Sequence, residues 1–124
     1  MKEYSELYEG KIGVILTNLG TPNAPSKKAL KKYLNQFLMD KRVVDINRLV
    51  WLPILKLIIL NVRPKKSARL YSKIWTDKGS PLMVYMNNIK NEIIKKFSSK
   101  NSFQFEIAMR YGDPSFKKAL DTFK

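Results

Sequence analysis

Two periods run through the chain, one of buried strands and one of amphipathic helices. Residues 11–19, "KIGVILTNL", carry Ile12, Val14, Ile15 and Leu16 without strict alternation. A short apolar run closed by a glycine, here Gly20, predicts a strand buried on both faces, as in a parallel sheet. Residues 1–10 before it read as a polar lead-in. Beyond the turn "GTPNAP", Leu30, Tyr33, Leu34, Phe37 and Leu38 recur at helical spacing. They predict an amphipathic helix over 26–39, capped by Ser26 just after Pro25, with lysines on its wet face.

"DKRVVDINRL" has no clean period and predicts a turn with a short extended piece. The most apolar stretch follows, "LVWLPILKLIIL" at 49–60. It is too short to span a bilayer, which takes roughly 18 apolar residues. It reads either as a core helix kinked or started near Pro53, or as an apolar lip. Such a lip would rest on a membrane or close over an apolar ligand. A second helix is predicted over 63–75, with Ala68, Tyr71 and Ile74 on one stripe. "TDKGSPL" breaks it. Ser80 then caps a helix over 81–97, with Pro81 at its first position and Leu82, Met86, Ile89, Ile93 and Phe97 as its apolar positions. "SSKNS" is a polar loop and "FQFEIAMRY" at 103–111 a second strand. A last helix, capped by Asp113 with Pro114 at its first position, is predicted to be still running at Lys124.

Strand, helix, helices, strand, helix is the order of an α/β fold: a Rossmann-like parallel sheet with flanking helices. Two strands are fewer than such sheets usually have. The expectation is therefore an incomplete lobe spanning residues 11–124.

Composition narrows the chemistry. The 124 residues include no cysteine and no histidine. Disulfides and thiolate metal sites are excluded, and so is the commonest general base. The formal charge of +14 invites a nucleic-acid reading. Most of this charge is lysine spread over predicted wet helix faces, so the expectation is no nucleic-acid partner. The field still favours anionic substrates or an acidic membrane surface. No signal peptide is visible in the acidic, polar first residues, and the expected location is cytoplasmic.

In open α/β sheets ligands bind beyond the carboxyl ends of the strands. "NLGTP" and "RYGDP" occupy that place, and "GSP" opens the intervening helix. Gly20 and Pro22 serve equally as a plain strand-to-helix turn, and Arg110 as a surface residue. Neither the Walker loop nor the dinucleotide glycine fingerprint is present. Together the three segments outline one pocket rimmed by backbone amides, Arg110, Tyr111 and Ser80.

The blocks "GVILTNLGTPNAP", "FLMDKRVVDI", "LVWLPIL", "RPKKSARLYSKIWTDKGSPLMVY" and "IAMRYGDPS" follow one another as in a ferrochelatase. The chain resembles the N-terminal part of that family's protoporphyrin type, found in Gram-negative bacteria. The resemblance implies a lyase that inserts ferrous iron into protoporphyrin IX, the last step of heme biosynthesis, in a cleft between two Rossmann-like lobes. It implies porphyrin contacts at Leu19, Gly20, Thr21, Pro22, Tyr71, Ser80, Pro81, Arg110 and Tyr111. Leu19 would lie over one face of the ring, where coproporphyrin-type relatives carry an axial tyrosine. Val50, Trp51, Leu52, Ile54 and Leu55 would form the membrane and porphyrin lip, giving peripheral contact with the inner membrane. The resemblance implies no catalytic residue, metal ligand or bound cofactor in this segment. The catalytic histidine and its acidic partner would lie in a further, C-terminal part of the enzyme, its obligate partner.

Overall fold

The computed structural model describes residues 11–97 and 102–123; the expected lead-in at 1–10 and most of the "SSKNS" loop lie outside them. Strand β1 (Ile12–Thr21) is followed by α1 (Lys27–Met39) and α2 (Arg48–Pro53). A π-helical segment, Ile54–Ile59, joins α2 to α3 (Leu60–Ile74). Then come α4 (Pro81–Phe97), β2 (Phe103–Gly112) and α5 (Phe116–Asp121). Among the described residues the sheet is β1 paired in parallel with β2, in register from Ile12↔Phe103 to Thr21↔Gly112. The α/β class with a parallel sheet and flanking helices is therefore observed.

Local chemistry explains most boundaries. The Ser26 hydroxyl accepts the Ala29 N–H and starts α1. The Ser80 hydroxyl accepts the Met83 N–H at 3.3 Å and starts α4, with Pro81 first. Asn47 does the same for α2 through the Leu49 N–H. The two helices expected at 49–60 and 63–75 are one helical run from Arg48 to Ile74. Pro53 lacks the N–H that an α-helix needs and crowds the preceding turn. The run widens to π geometry directly after it, a common accommodation of such an interruption.

Two small cores hold these elements. Leu38 of α1 packs with Trp51, Leu55 and Leu60, and the Trp51 indole N–H donates to the Leu38 carbonyl at 2.8 Å. Met86 of α4 packs with Ile107 and Met109 of β2, flanked by Leu16 and Met83.

Four expectations are corrected. First, β1 is not buried on both faces: Ile12, Val14, Ile15 and Leu16 are half-buried, because β2 alone pairs with it here. Second, "DKRVVDINRL" forms turns and the start of α2, without an extended strand. Third, the apolar positions of the helices are not all covered: Ile74, Ile89 and Phe97 are exposed, and Phe97 meets the Phe103 ring edge-on at 5.5 Å. Fourth, α5 is capped by Ser115, not Asp113, and ends at Asp121. Pro114 precedes it after a cis peptide bond, and its carbonyl accepts the Met109 N–H at 2.7 Å. That bond ties residue 114 to the sheet, so the helix begins two residues later. The Asp113 carboxylate is used elsewhere, accepting from Asn23 at 2.7 Å.

Candidate functional site

Because β1 and β2 are parallel, their carboxyl ends lie side by side. Gly20 pairs with Tyr111 and Thr21 with Gly112. Gly20 has φ +121°, a left-handed value, and a Cβ there would overlap the Tyr111 carbonyl oxygen. Gly112 has φ +86°, and a Cβ there would stand 2.7 Å from the Thr21 carbonyl oxygen. The two strand ends thus approach more closely than side chains permit. Leu19 and Arg110 fall between the paired positions Asn18–Met109 and Gly20–Tyr111. Leu19 is 52% exposed and Arg110 is exposed beside it, while Thr21, Pro22 and Tyr111 are buried.

Helix α1 backs this edge. The Tyr33 hydroxyl donates to the Gly20 carbonyl at 3.1 Å. Burial pushes the Tyr33 phenol pKa up, and the neighbouring Tyr71 and Tyr111 add to the effect. Tyr71 on α3 has Trp75 edge-on against it at 6.2 Å. The Phe37 ring meets Tyr111 edge-on at 5.1 Å. Gln36 accepts the Gly112 N–H at 2.9 Å. It stands between two open cavities. One, of about 270 Å³, is lined by Pro22, Asn23, Tyr33, Gly112 and Asp113 among others. The other, of about 310 Å³, is lined by Gln36, Met39, Asp40, Arg110 and Tyr111.

Asp40, at the C-terminal end of α1, joins the helix to the strand end. Its carboxylate accepts the Arg42 N–H at 2.9 Å, the Tyr111 hydroxyl at 2.9 Å and Arg110 Nη2 at 2.9 Å. The Arg42 N–H, then the Tyr111 hydroxyl and then Arg110 hold its pKa down at about 2, from an ordinary 3.8. The Tyr111 hydroxyl and Asp40 in turn push the Arg110 guanidinium further up, so it stays charged. Sequence reasoning passed over Asp40. Asp40 follows Tyr33 and Phe37 at helical spacing, but it is itself the extended cap that ends α1, and its long-range partners are not visible in local sequence.

Most of the residues singled out in the sequence come together here. Leu19, Gly20, Thr21, Pro22, Arg110 and Tyr111 form the adjoining strand ends, whereas Tyr71 stands on α3 beside Trp75. Ser80 is buried at the start of α4 and Pro81 follows it, one turn from Met83, which packs against the second core. The apolar lip divides differently from expectation. Val50 and Ile54 are exposed and Leu52 is half-buried. Trp51 and Leu55 are core residues, because their side of the run faces Leu38 of α1. The exposed ridge is instead Leu49, Val50, Ile54, Leu57, Ile58 and Val62, with Leu49 85% and Leu57 71% exposed. Among the described residues no helix is long and apolar enough to cross a membrane.

The ferrochelatase family model matches residues 11–124. The chain is similar to the ferrochelatase of Pseudoalteromonas atlantica, 51% identical over 109 residues, covering 86% of this chain and 30% of that protein. It is 49% identical to that of Wigglesworthia glossinidia brevipalpis, over 90% of this chain and 34% of that protein. It is 47% identical to that of Alcanivorax borkumensis, over 92% of this chain and 34% of that protein. The chain thus spans about a third of the length of these relatives. No solved structure matches it.

Proposed function

This chain belongs to the ferrochelatase family, and on that premise we propose that its strand ends form one wall of a porphyrin cleft. The complete enzyme inserts ferrous iron into protoporphyrin IX. The observation that carries this reading is the exposed pair at the strand ends. Leu19 offers an apolar surface, and Arg110 beside it a permanent cation. A flat ring with an apolar body and carboxylate edges matches that combination, and the position beyond the carboxyl ends is where α/β sheets bind ligands.

Metal insertion removes two pyrrole N–H protons as iron enters. A base with a pKa near neutral has to stand against the ring. Arg110 cannot be that base, because a guanidinium does not deprotonate in proteins. Asp40 is held far below neutrality by its three donors. The role of this segment is therefore to bind and orient the ring, and to keep its face dry. The base comes from the remaining two-thirds of the family sequence, as does the opposite wall.

The exposed ridge of Leu49, Leu57, Ile58 and Val62 is the apolar lip, and it meets the membrane peripherally. Lys56, Arg63, Lys65 and Lys66 lie in the same stretch and suit an anionic lipid surface.

The test is metal insertion under anaerobic conditions with ferrous iron and protoporphyrin IX. A full-length ferrochelatase carrying this segment makes protoheme, and the 124-residue chain alone makes none above the protein-free rate. Turnover by the chain alone would overturn the division of roles. Failure of the full-length protein would overturn the function.

A further inference from the structure

Arg110 and Tyr111 reach the cleft from consecutive positions of one strand, so their side chains leave the backbone in opposite directions. Tyr111 is buried against Phe37, whereas Arg110 is exposed, with its guanidinium 5.7 Å from the Tyr111 ring centre. A lone exposed arginine samples many rotamers and fixes nothing. Here one carboxylate oxygen, Asp40 Oδ2, binds both Arg110 Nη2 and the Tyr111 hydroxyl at 2.9 Å. The other, Oδ1, is anchored by the Arg42 N–H immediately after the helix end. The Asp40 side chain is 18% exposed and that of Arg110 47%, so the anchor is the better covered half of a partly exposed pair.

From this geometry we infer that Asp40 is a positioning residue for the cleft: held by the buried Tyr111 hydroxyl, it fixes the Arg110 guanidinium in the wall the porphyrin meets. The inference rests on the porphyrin-cleft reading above and adds a residue to it. Asp40 does not touch the ring. It acts through Arg110: it holds the guanidinium by Nη2 and leaves the arginine side chain 47% exposed, open to a substrate carboxylate.

The experiment is a double-mutant cycle in a full-length ferrochelatase carrying this segment. Asp40→Asn lowers kcat/KM for metal insertion by about ten- to hundredfold, the range that one charge-assisted hydrogen bond spans. On an Arg110→Gln background the same change costs less than about twofold, since the group through which Asp40 acts is gone. A loss under twofold in the single variant overturns the inference. So does a loss that repeats in full on the Arg110→Gln background, because a merely structural role is additive. If Asp40→Asn is insoluble, Asp40→Glu is used instead, which keeps the charge and shifts the carboxylate. A threefold or greater loss, absent with Arg110→Gln, supports the inference; unchanged kcat/KM overturns it. A second readout needs no turnover. The Arg110 guanidinium N–H signals in NMR exchange slowly in the parent and rapidly in the Asp40 variant; equal exchange contradicts positioning. A parent that makes no metalloporphyrin overturns the functional reading alone, and the NMR comparison still decides the role of Asp40.

Discussion

Asp40 accepts three hydrogen bonds and has its pKa held at about 2 against an ordinary 3.8. A depressed carboxylate pKa stabilises the folded state above the ordinary value, and that contribution is lost as pH falls through the depressed one. The window is therefore pH 4 down to 2. Urea unfolding of the parent and of Asp40→Asn should differ most above pH 4 and converge towards pH 2. A constant difference across that range would show that the carboxylate is not held by its donors. Single residues also show what the sequence made readable. Ser26 and Ser80 announced their helices through side-chain oxygens that accept local N–H groups, a mechanism with no long-range part. Asp113 followed the same rule on paper and failed, because Asn23 and Lys32 on other elements hold its carboxylate. Asp40 was missed for the converse reason. Two of its three partners lie some seventy positions away, at Arg110 and Tyr111.

Of the helical run from Arg48 to Ile74, residues 49–60 were read as apolar without their faces being resolved. Pro53 and the π-helical segment after it shift the helical phase, so the inward stripe does not follow simple spacing. Trp51 and Leu55 turn to α1, and Leu57 and Ile58 to solvent. Thermal unfolding separates the two sides in the full-length protein. Leu55→Ala, at a fully buried position, should cost about 2–5 kcal/mol. Leu57→Ala should stay within about 0.5 kcal/mol. The lip reading adds a different readout: Leu57→Asp with Ile58→Asp should abolish flotation with vesicles containing anionic lipid, at unchanged melting temperature. Full flotation of that variant would remove the membrane role from this ridge.

In the molecule as a whole, the parallel pairing of β1 with β2 decides where chemistry can occur. It sets "NLGTP" beside "RYGDP", an adjacency the chain order implied once both runs were read as parallel strands. Burial was less legible. The apolar run of β1 predicted two covered faces, and a sheet of two strands covers neither fully. The chain spans about a third of its relatives, and the proposed division of roles gives the opposite wall and the base to the rest of the family sequence. The proposed cleft wall sets the exposed Leu19 against the ring, beside Arg110. The direct test is Leu19→Tyr in a full-length ferrochelatase carrying this segment, read by porphyrin absorbance on titration and by metal-insertion rate. If Leu19 lies against the ring, the Soret band of bound protoporphyrin shifts and kcat/KM changes at least fivefold. An unchanged band together with an unchanged rate would contradict the placement of the porphyrin on these strand ends.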